Sequence, residues 1–300
     1  MRPKSVNTVP IVEHYVRDYL IRRFGDQIAE DIKPFEIQRW LKSLHDANGL
    51  AWTTIAKLRG IVLRAYKVGI LHEHVTKNPV AAVETRSTTK YKAVILTPRQ
   101  TLAILNRLTH PLHKTLALTC AATALRASEV LALRWSDVDW ESHRIRISKR
   151  WAKGADGETK TKASDGYVPT HALLAVALGE WRTQSPFPME KDFVFPSLRE
   201  EGKVPLSSRS FVCDHLRAAT IAAGVHINKG QRFGLHNLRH SLSNWLVNKA
   251  KVDPKTVQAL LRHAKIQTTL DLYTQGDGDE TRAAQGRYLE ALGMASGMVN

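Results

Sequence analysis

Apolar positions recur at helical spacing through the first ninety residues. Over residues 11–23 they fall at Ile11, Val12, Tyr15, Val16, Tyr19 and Leu20, a stripe that predicts a helix. Pro34 is placed to open a second helix, with Ile37, Trp40, Leu41 and Leu44 on one face and Asn48-Gly49 to close it. Thr53 is the expected cap of a third, whose Ile55, Leu58, Val62 and Ala65 repeat until Gly69. Asn78-Pro79 punctuates the end of this block. Residues 84–92 are polar and carry no apolar period, which reads as an interdomain linker.

A second helical region opens at Thr97-Pro98, where Thr97 and Gln100 form a capping-box pattern and Leu102, Leu105 and Leu108 supply a core face. Residues 116–133 read as a long, mostly apolar helical segment, interrupted only by Arg126, Ala127, Ser128 and Glu129. The period then changes to two. Residues 143–149 alternate basic and apolar, as a half-buried strand does. Gly154, Gly157 and Gly166 mark turns around residues 159–162, and Tyr167-Val168 reads as a returning strand. Helices are expected again at 171–181, 208–223, 237–249, 254–262 with Asp253 as cap, and 268–273. The predicted class is mainly α with a small antiparallel β-sheet (α+β), in two domains.

Charge changes the picture more than composition does. The 300 residues hold 44 Lys or Arg and 28 Asp or Glu, a formal charge of +16. Residues 1–95 contribute 16 basic and 9 acidic groups and the rest 28 and 19, so both halves are basic and the excess is no tail. A polyanion that both halves touch is the natural partner, and nucleic acid is the commonest. No apolar run approaches the ~18 residues of a membrane helix, and the N-terminus lacks the apolar core of a secretory signal. Cys120 and Cys213 stand far apart in apolar surroundings, which predicts buried thiols in a reducing cytoplasm and leaves no disulfide framework. Zinc sites of the CxxC type are excluded.

Chemistry is expected where polar residues interrupt apolar helical runs. Arg126 follows eight residues, Leu-Thr-Cys-Ala-Ala-Thr-Ala-Leu, that should be largely buried, and a buried Arg needs an anionic partner. Glu129, one turn on, can hold it, so a purely structural ion pair is one reading. His236 and Arg239 project together from a helix start, a ready anion site, or else serve only as a cap. His240 stands at i+4 from His236, as a metal pair would, yet no third ligand follows at a familiar spacing. His263 ends a helix, and Tyr273 ends the next apolar segment, where a tyrosine with its hydroxyl at the rim of a core also fits.

Taken in order, these residues resemble the tyrosine recombinase (phage integrase) family. The resemblance is carried by Thr-Ala-Leu-Arg126-Ala-Ser-Glu-Val-Leu, by Lys160-Thr-Lys-Ala-Ser with Val168-Pro169, by His236-Asn-Leu-Arg239-His, and by Leu261-Arg-His263 with Thr-Thr-Leu-Asp-Leu-Tyr273. It covers nearly the whole chain. The departures are Ala124 for the usual Gly, Asn237 for the usual Asp, Arg262 for the usual Gly, and Gly166-Tyr167 where a basic residue is common.

The resemblance implies a helical core-binding, DNA-binding domain over 1–83, a linker over 84–95, a tyrosine recombinase catalytic domain over 96–281 and a C-terminal helix or tail over 282–300 that docks in trans or else packs in cis. Only ten residues precede the stretch 11–26, so the N-terminal domain is expected to lack the family's first helix. The implied reaction is site-specific recombination of the integrase or excisionase type, through a 3′-phosphotyrosyl intermediate, without metal or cofactor. Tyr273 would be the nucleophile, Arg126, His236, Arg239 and His263 would act on the phosphate or the nucleophile, and Glu129 would set Arg126. Lys160, with Lys162 as the alternative, would protonate the leaving oxygen. The implied partners are double-stranded DNA, a homotetramer of this chain on DNA, and accessory DNA-bending or directionality proteins. The implied location is cytoplasmic and nucleoid-associated. The rival readings are a type IB topoisomerase-like enzyme that relaxes DNA and a DNA-binding protein on this fold that does not recombine. The chain has no GxxxxGK[ST] loop and no tight acidic cluster of the two-metal type.

Overall fold

The computed structural model describes residues 9–86, 93–152, 154–158, 166–228, 231–262 and 266–273. The chain divides into two compact units, Met1–Lys92 and Ala93–Asn300.

The first unit is helical. Helix α1 (Val9–Tyr15) runs on through a π-helical turn, Val16–Ile21, and a last turn, Arg22–Phe24. Helix α2 (Pro34–Asp46) buries the expected face of Ile37, Trp40, Leu41 and Leu44. Its start is fixed by the Lys33 N–H donating to the Glu36 carboxylate at 2.9 Å. Helix α3 (Trp52–Leu71) differs from the expectation in three ways. Ala51 rather than Thr53 is the cap, Tyr66 rather than Ala65 is buried, and the helix continues past Gly69. The stripe advances by four residues from Val62, which swings Ala65 outward and brings in a larger ring. The Tyr66 hydroxyl donates to the Ala29 carbonyl at 2.8 Å, so the buried phenol keeps a partner. Asn78 caps a short turn, Pro79–Ala82, whose Val80 joins the same core. Glu84, where the linker was expected to begin, is tied to α2: its N–H and C=O pair with the Gln38 side-chain amide, both at 3.0 Å.

The second unit begins with helix α4 (Pro98–Arg107), capped reciprocally by Thr97 and Gln100 as expected. Leu105 and Leu108 are buried as expected, while Leu102 faces solvent and Ile104 takes its place in the core. The long apolar segment 116–133 is two helices and not one. Helix α5 (Pro111–Thr123) stops at Ala124, which takes a left-handed conformation (φ 53°), and helix α6 (Ala127–Val130) starts afresh after Arg126.

Strands β1 (Val138–Asp139), β2 (Arg144–Ile147) and β5 (Gly166–Pro169) form an antiparallel sheet in the order β1-β2-β5. Ile145 and Ile147 point into the core and Arg144 and Arg146 out, with Ile145 opposite Val168. A separate hairpin pairs β3 (Lys149–Ala152) with β4 (Ala155–Glu158). Gly157, expected in a turn, lies within β4 opposite Arg150, and the turn itself falls at Gly154 (φ 78°).

Helix α7 (Ala172–Gln184) packs on α5. A turn at Ser208–Ser210 and a π-helical stretch, Phe211–Leu216, lead into α8 (Arg217–Ala222). Helices α9 (Leu235–Asn248), α10 (Pro254–Leu261) and α11 (Ile266–Tyr273) complete the unit, and the Thr256 N–H donates to Asp253 at 2.9 Å to cap α10. Trp135, Phe195, Phe211 and Leu116 lie in one core with the sheet's inner face. Cys120 is within that core, and burial pushes its thiol up to about 12. Cys213 is exposed, against expectation, because the π-helical stretch turns it outward while Phe211 and Leu216 point in. Among the described residues no helix is long and apolar enough to cross a membrane.

Candidate active site

The site is assembled at the C-terminal end of α5. The Thr119 and Thr123 hydroxyls donate back to the carbonyls of Thr115 and Thr119, at 2.8 and 2.6 Å, satisfying buried polar groups as the helix ends. The left-handed Ala124 then reverses the chain. Arg126 becomes the cap residue of α6, in extended backbone (φ −71°, ψ 147°). Its N–H donates to Glu129 Oε2 at 2.9 Å and its Nη1 to Glu129 Oε1 at 2.7 Å. One carboxylate therefore fixes both the main chain and the guanidinium of Arg126. The Glu129 side chain is 4% exposed and that of Arg126 is 29% exposed, so the guanidinium reaches the surface from a buried anchor.

Arg239 comes from α9 and is buried. Its Nη1 donates to the Ala124 carbonyl, and its Nη2 to the Leu261 carbonyl at 2.5 Å. Those carbonyls lie at the C-terminal ends of α5 and α10, where a cation is favoured by the helix dipoles and the unpaired acceptors. Burial first, then the charge of Arg126, lowers the Arg239 pKa to about 10, which leaves it charged at neutral pH. Its helix is itself pinned. Asn237 accepts from the Gly234 N–H at 2.9 Å and donates to the Val94 carbonyl at 3.0 Å, and the Ser241 hydroxyl accepts from the Leu96 N–H at 2.8 Å.

Arg262 is the member that sequence reasoning noted only as a departure. It ends α10 in a left-handed conformation (φ 50°), is buried, and donates from Nη2 to Glu129 Oε2. Glu129 thus bridges two guanidinium groups, which replaces the simple Arg126–Glu129 pair. The signal in the sequence was a charged residue closing the apolar run of α10. A small core of Ala124, Val247, Val257 and Leu261 lies among these elements.

His236 stands in the first turn of α9. The surrounding protein lowers its pKa, and its neighbours His240, Arg239 and Arg126 lower it further against the opposing effect of Glu129. The neutral imidazole, the form that accepts a proton, is therefore favoured. His236 and His240 lie with ring centroids 6.1 Å apart. Among the described residues no group of three His, Cys, Asp or Glu could hold a metal ion. Helix α11, which ends at Tyr273, packs against both α9 and α10. The Tyr273 side chain, Lys160, Lys162, His263, residues 87–92 of the expected linker and the C-terminal segment 282–300 lie outside the described residues.

The structure therefore brings together Arg126, Glu129, Arg239 and Arg262, with His236 beside them. Three guanidinium groups against one carboxylate leave an excess of positive charge suited to an anion, with planar donor forks that match phosphate oxygens.

Comparison with known proteins identifies the family and the fold. The phage integrase family model matches residues 95–279. A tyrosine recombinase XerC-like protein from Caldanaerobacter subterraneus subsp. tengcongensis is 26% identical, over 91% of this chain and 75% of that protein. The transposase from transposon Tn916 of Enterococcus faecalis is 22% identical, over 95% of this chain and 74% of its own length. Among solved structures, the Tn1549 transposon integrase in complex with a circular intermediate DNA shares the fold with a TM-score of 0.80 and 21% identity, covering 96% of this chain and 95% of that one. A lambda integrase dimer bound to a COC′ core site shares it with a TM-score of 0.67 and 19% identity, covering 91% and 90%.

Proposed function

Because the chain belongs to the phage integrase family, we propose that it is a site-specific DNA recombinase. It cuts a DNA strand with the Tyr273 hydroxyl, keeps the 3′ end as a phosphotyrosyl link beside a free 5′-OH, and rejoins that link to a different 5′-OH. The phosphodiester energy stays in the covalent intermediate, so the reaction needs neither nucleotide nor metal.

The observation that carries this reading is the delivery of Arg126 and Arg239 to one place from two separate elements, each with its guanidinium group held by hydrogen bonds to the fold. The attacked phosphate gains charge on its non-bridging oxygens in the transition state, and two preorganised guanidinium groups stabilise it there. His236, held neutral, accepts the Tyr273 proton. His263 is assigned a hydrogen bond to the scissile phosphate. Lys160 is assigned the proton for the leaving 5′ oxygen, with Lys162 as the alternative.

Both basic halves bind the duplex backbone, the helical domain over 1–83 and the catalytic domain over 96–281, joined by the linker over 84–95. Affinity then falls log-linearly with salt. Exchange takes place in a homotetramer on DNA, with the tail over 282–300 docking in trans, assisted by accessory DNA-bending or directionality proteins in the cytoplasmic nucleoid.

The test is a nicked duplex whose short downstream fragment leaves after cutting and so traps the intermediate. The native protein should form a covalent protein–DNA adduct without metal, and Tyr273→Phe should form none. An adduct that survives this substitution sinks the assignment of the nucleophile. Lys160→Ala should slow cleavage more than Lys162→Ala, and the reverse order would exchange their roles.

A further inference from the structure

Arg262 has three features that count against it as a residue kept for stability. It holds a left-handed backbone (φ 50°), where a side chain is strained and glycine is not. Its guanidinium is buried, with a side chain 7% exposed. Among the described residues its Nε and Nη1 find no hydrogen-bond partner, and buried donors left unpaired are unfavourable. Its Nη2 donates to the Glu129 carboxylate.

That contact joins the halves of the site. Glu129 Oε1 receives the Arg126 guanidinium while Oε2 receives both the Arg126 N–H and Arg262. The preceding residue, Leu261, offers its carbonyl to Arg239. Arg262 is followed directly by His263 in the chain. A single turn at the end of α10 is thereby tied to both Arg126, through Glu129, and Arg239.

We propose that Arg262 is a positioning residue for strand cleavage: by clamping Glu129 to the end of α10, it sets Arg126 against Arg239. The inference rests on the cleavage reading above. Arg262 acts through Glu129, the carboxylate to which its Nη2 donates.

The experiment measures single-turnover adduct formation on the nicked duplex, at saturating DNA, for Arg262→Gly, Arg262→Met and Arg262→Lys. Glycine suits the left-handed turn, methionine keeps the apolar stem without the charge, and lysine keeps a point charge toward Glu129. The glycine and methionine variants should cleave about 10- to 100-fold more slowly, with duplex affinity and Tm unchanged or Tm raised. Lysine should recover part of the rate. In a Glu129→Gln background, Arg262→Met should add less than about two-fold, because the two residues act as one unit.

A wild-type rate in Arg262→Met overturns the proposal, as does a loss that only follows a fall in Tm. A full Arg262→Met effect on top of Glu129→Gln also overturns it, since Arg262 would then act independently of Glu129. If the native protein forms no adduct at all, the cleavage reading has failed instead. An adduct formed equally well by all three variants defeats only the role of Arg262.

Discussion

The two units treat their interiors differently. In the first, every buried described residue is apolar or aromatic, from Ile32 through Leu58 and Tyr66 to Val83. In the second, Glu129, Arg239 and Arg262 are buried together with Asn237 and a series of Ser and Thr side chains. Burying such groups is unfavourable unless each finds a partner. The second unit supplies the partners largely from backbone carbonyls at helix ends and from a single carboxylate. The contrast separates two uses of a core. One holds a shape, and the other fixes charged groups whose directions matter.

The largest effect should come from cutting into the polar interior. Arg239→Met fills a similar volume but cannot donate to the Ala124 and Leu261 carbonyls or to a phosphate. Single-turnover cleavage should fall about a hundred- to a thousand-fold, the range for removing one preorganised donor from a transition state. Leu58→Ala makes the matching cut in the apolar core, where Leu58 is fully buried. It should lower unfolding stability by about 2–5 kcal/mol, read from the denaturant midpoint. The chemical step in molecules that stay folded and bound should keep its rate. Were Leu58→Ala to slow that step as much as Arg239→Met does, the division between the two interiors would be lost.

How far the sequence foretold these interiors follows the same line. Local signals were legible: the Thr97–Gln100 box, the Asp253 cap and the alternation that makes β2 all form as expected. The pair at Arg126 and Glu129 was legible as well, because one helical turn separates them. The break at Ala124 was not. Alanine favours a helix, and its left-handed turn accompanies contacts with residues more than a hundred positions away, among them Arg239. Nor could the sequence place Arg262 on Glu129, a contact between residues 133 positions apart. The misplaced positions at Ala65 and Leu102 are smaller errors of phase, where a stripe permits two registers and a neighbour, Tyr66 or Ile104, is buried instead.

Left-handed residues sharpen the comparison at lower energy. His143 is exposed with φ 46°, at the turn before β2. Relief of its strain, about 1–2 kcal/mol, outweighs the added unfolded-state freedom of glycine, about 0.4–1 kcal/mol. His143→Gly should therefore raise stability by up to about 1 kcal/mol in chemical denaturation. Ala124 shares the conformation, but its methyl is fully buried. Removing it costs about 0.8 kcal/mol, so the same exchange there should gain almost nothing. Equal gains at both positions would mean that burial of the Ala124 methyl contributes little.

The last effect, read as a slope against pH, concerns a second cluster of titratable groups, in which three histidines meet. His113 stacks on His215 with ring centroids 3.9 Å apart and lies 5.0 Å from His110. Burial, followed by the two neighbouring imidazoles, pushes its pKa down to about 4. Between the ordinary histidine value near 6.5 and that lowered value, the unfolded chain binds a proton at this position that the folded chain refuses. Stability therefore falls as pH drops through that window and levels off below it. His113→Gln removes the contribution, and unfolding stability measured between pH 6.5 and 4 should fall less steeply than in the native protein. His236 and His240, also shifted downward, retain theirs, so some slope should remain. A variant that parallels the native protein across the window would mean that the stacked pair accepts its proton while folded.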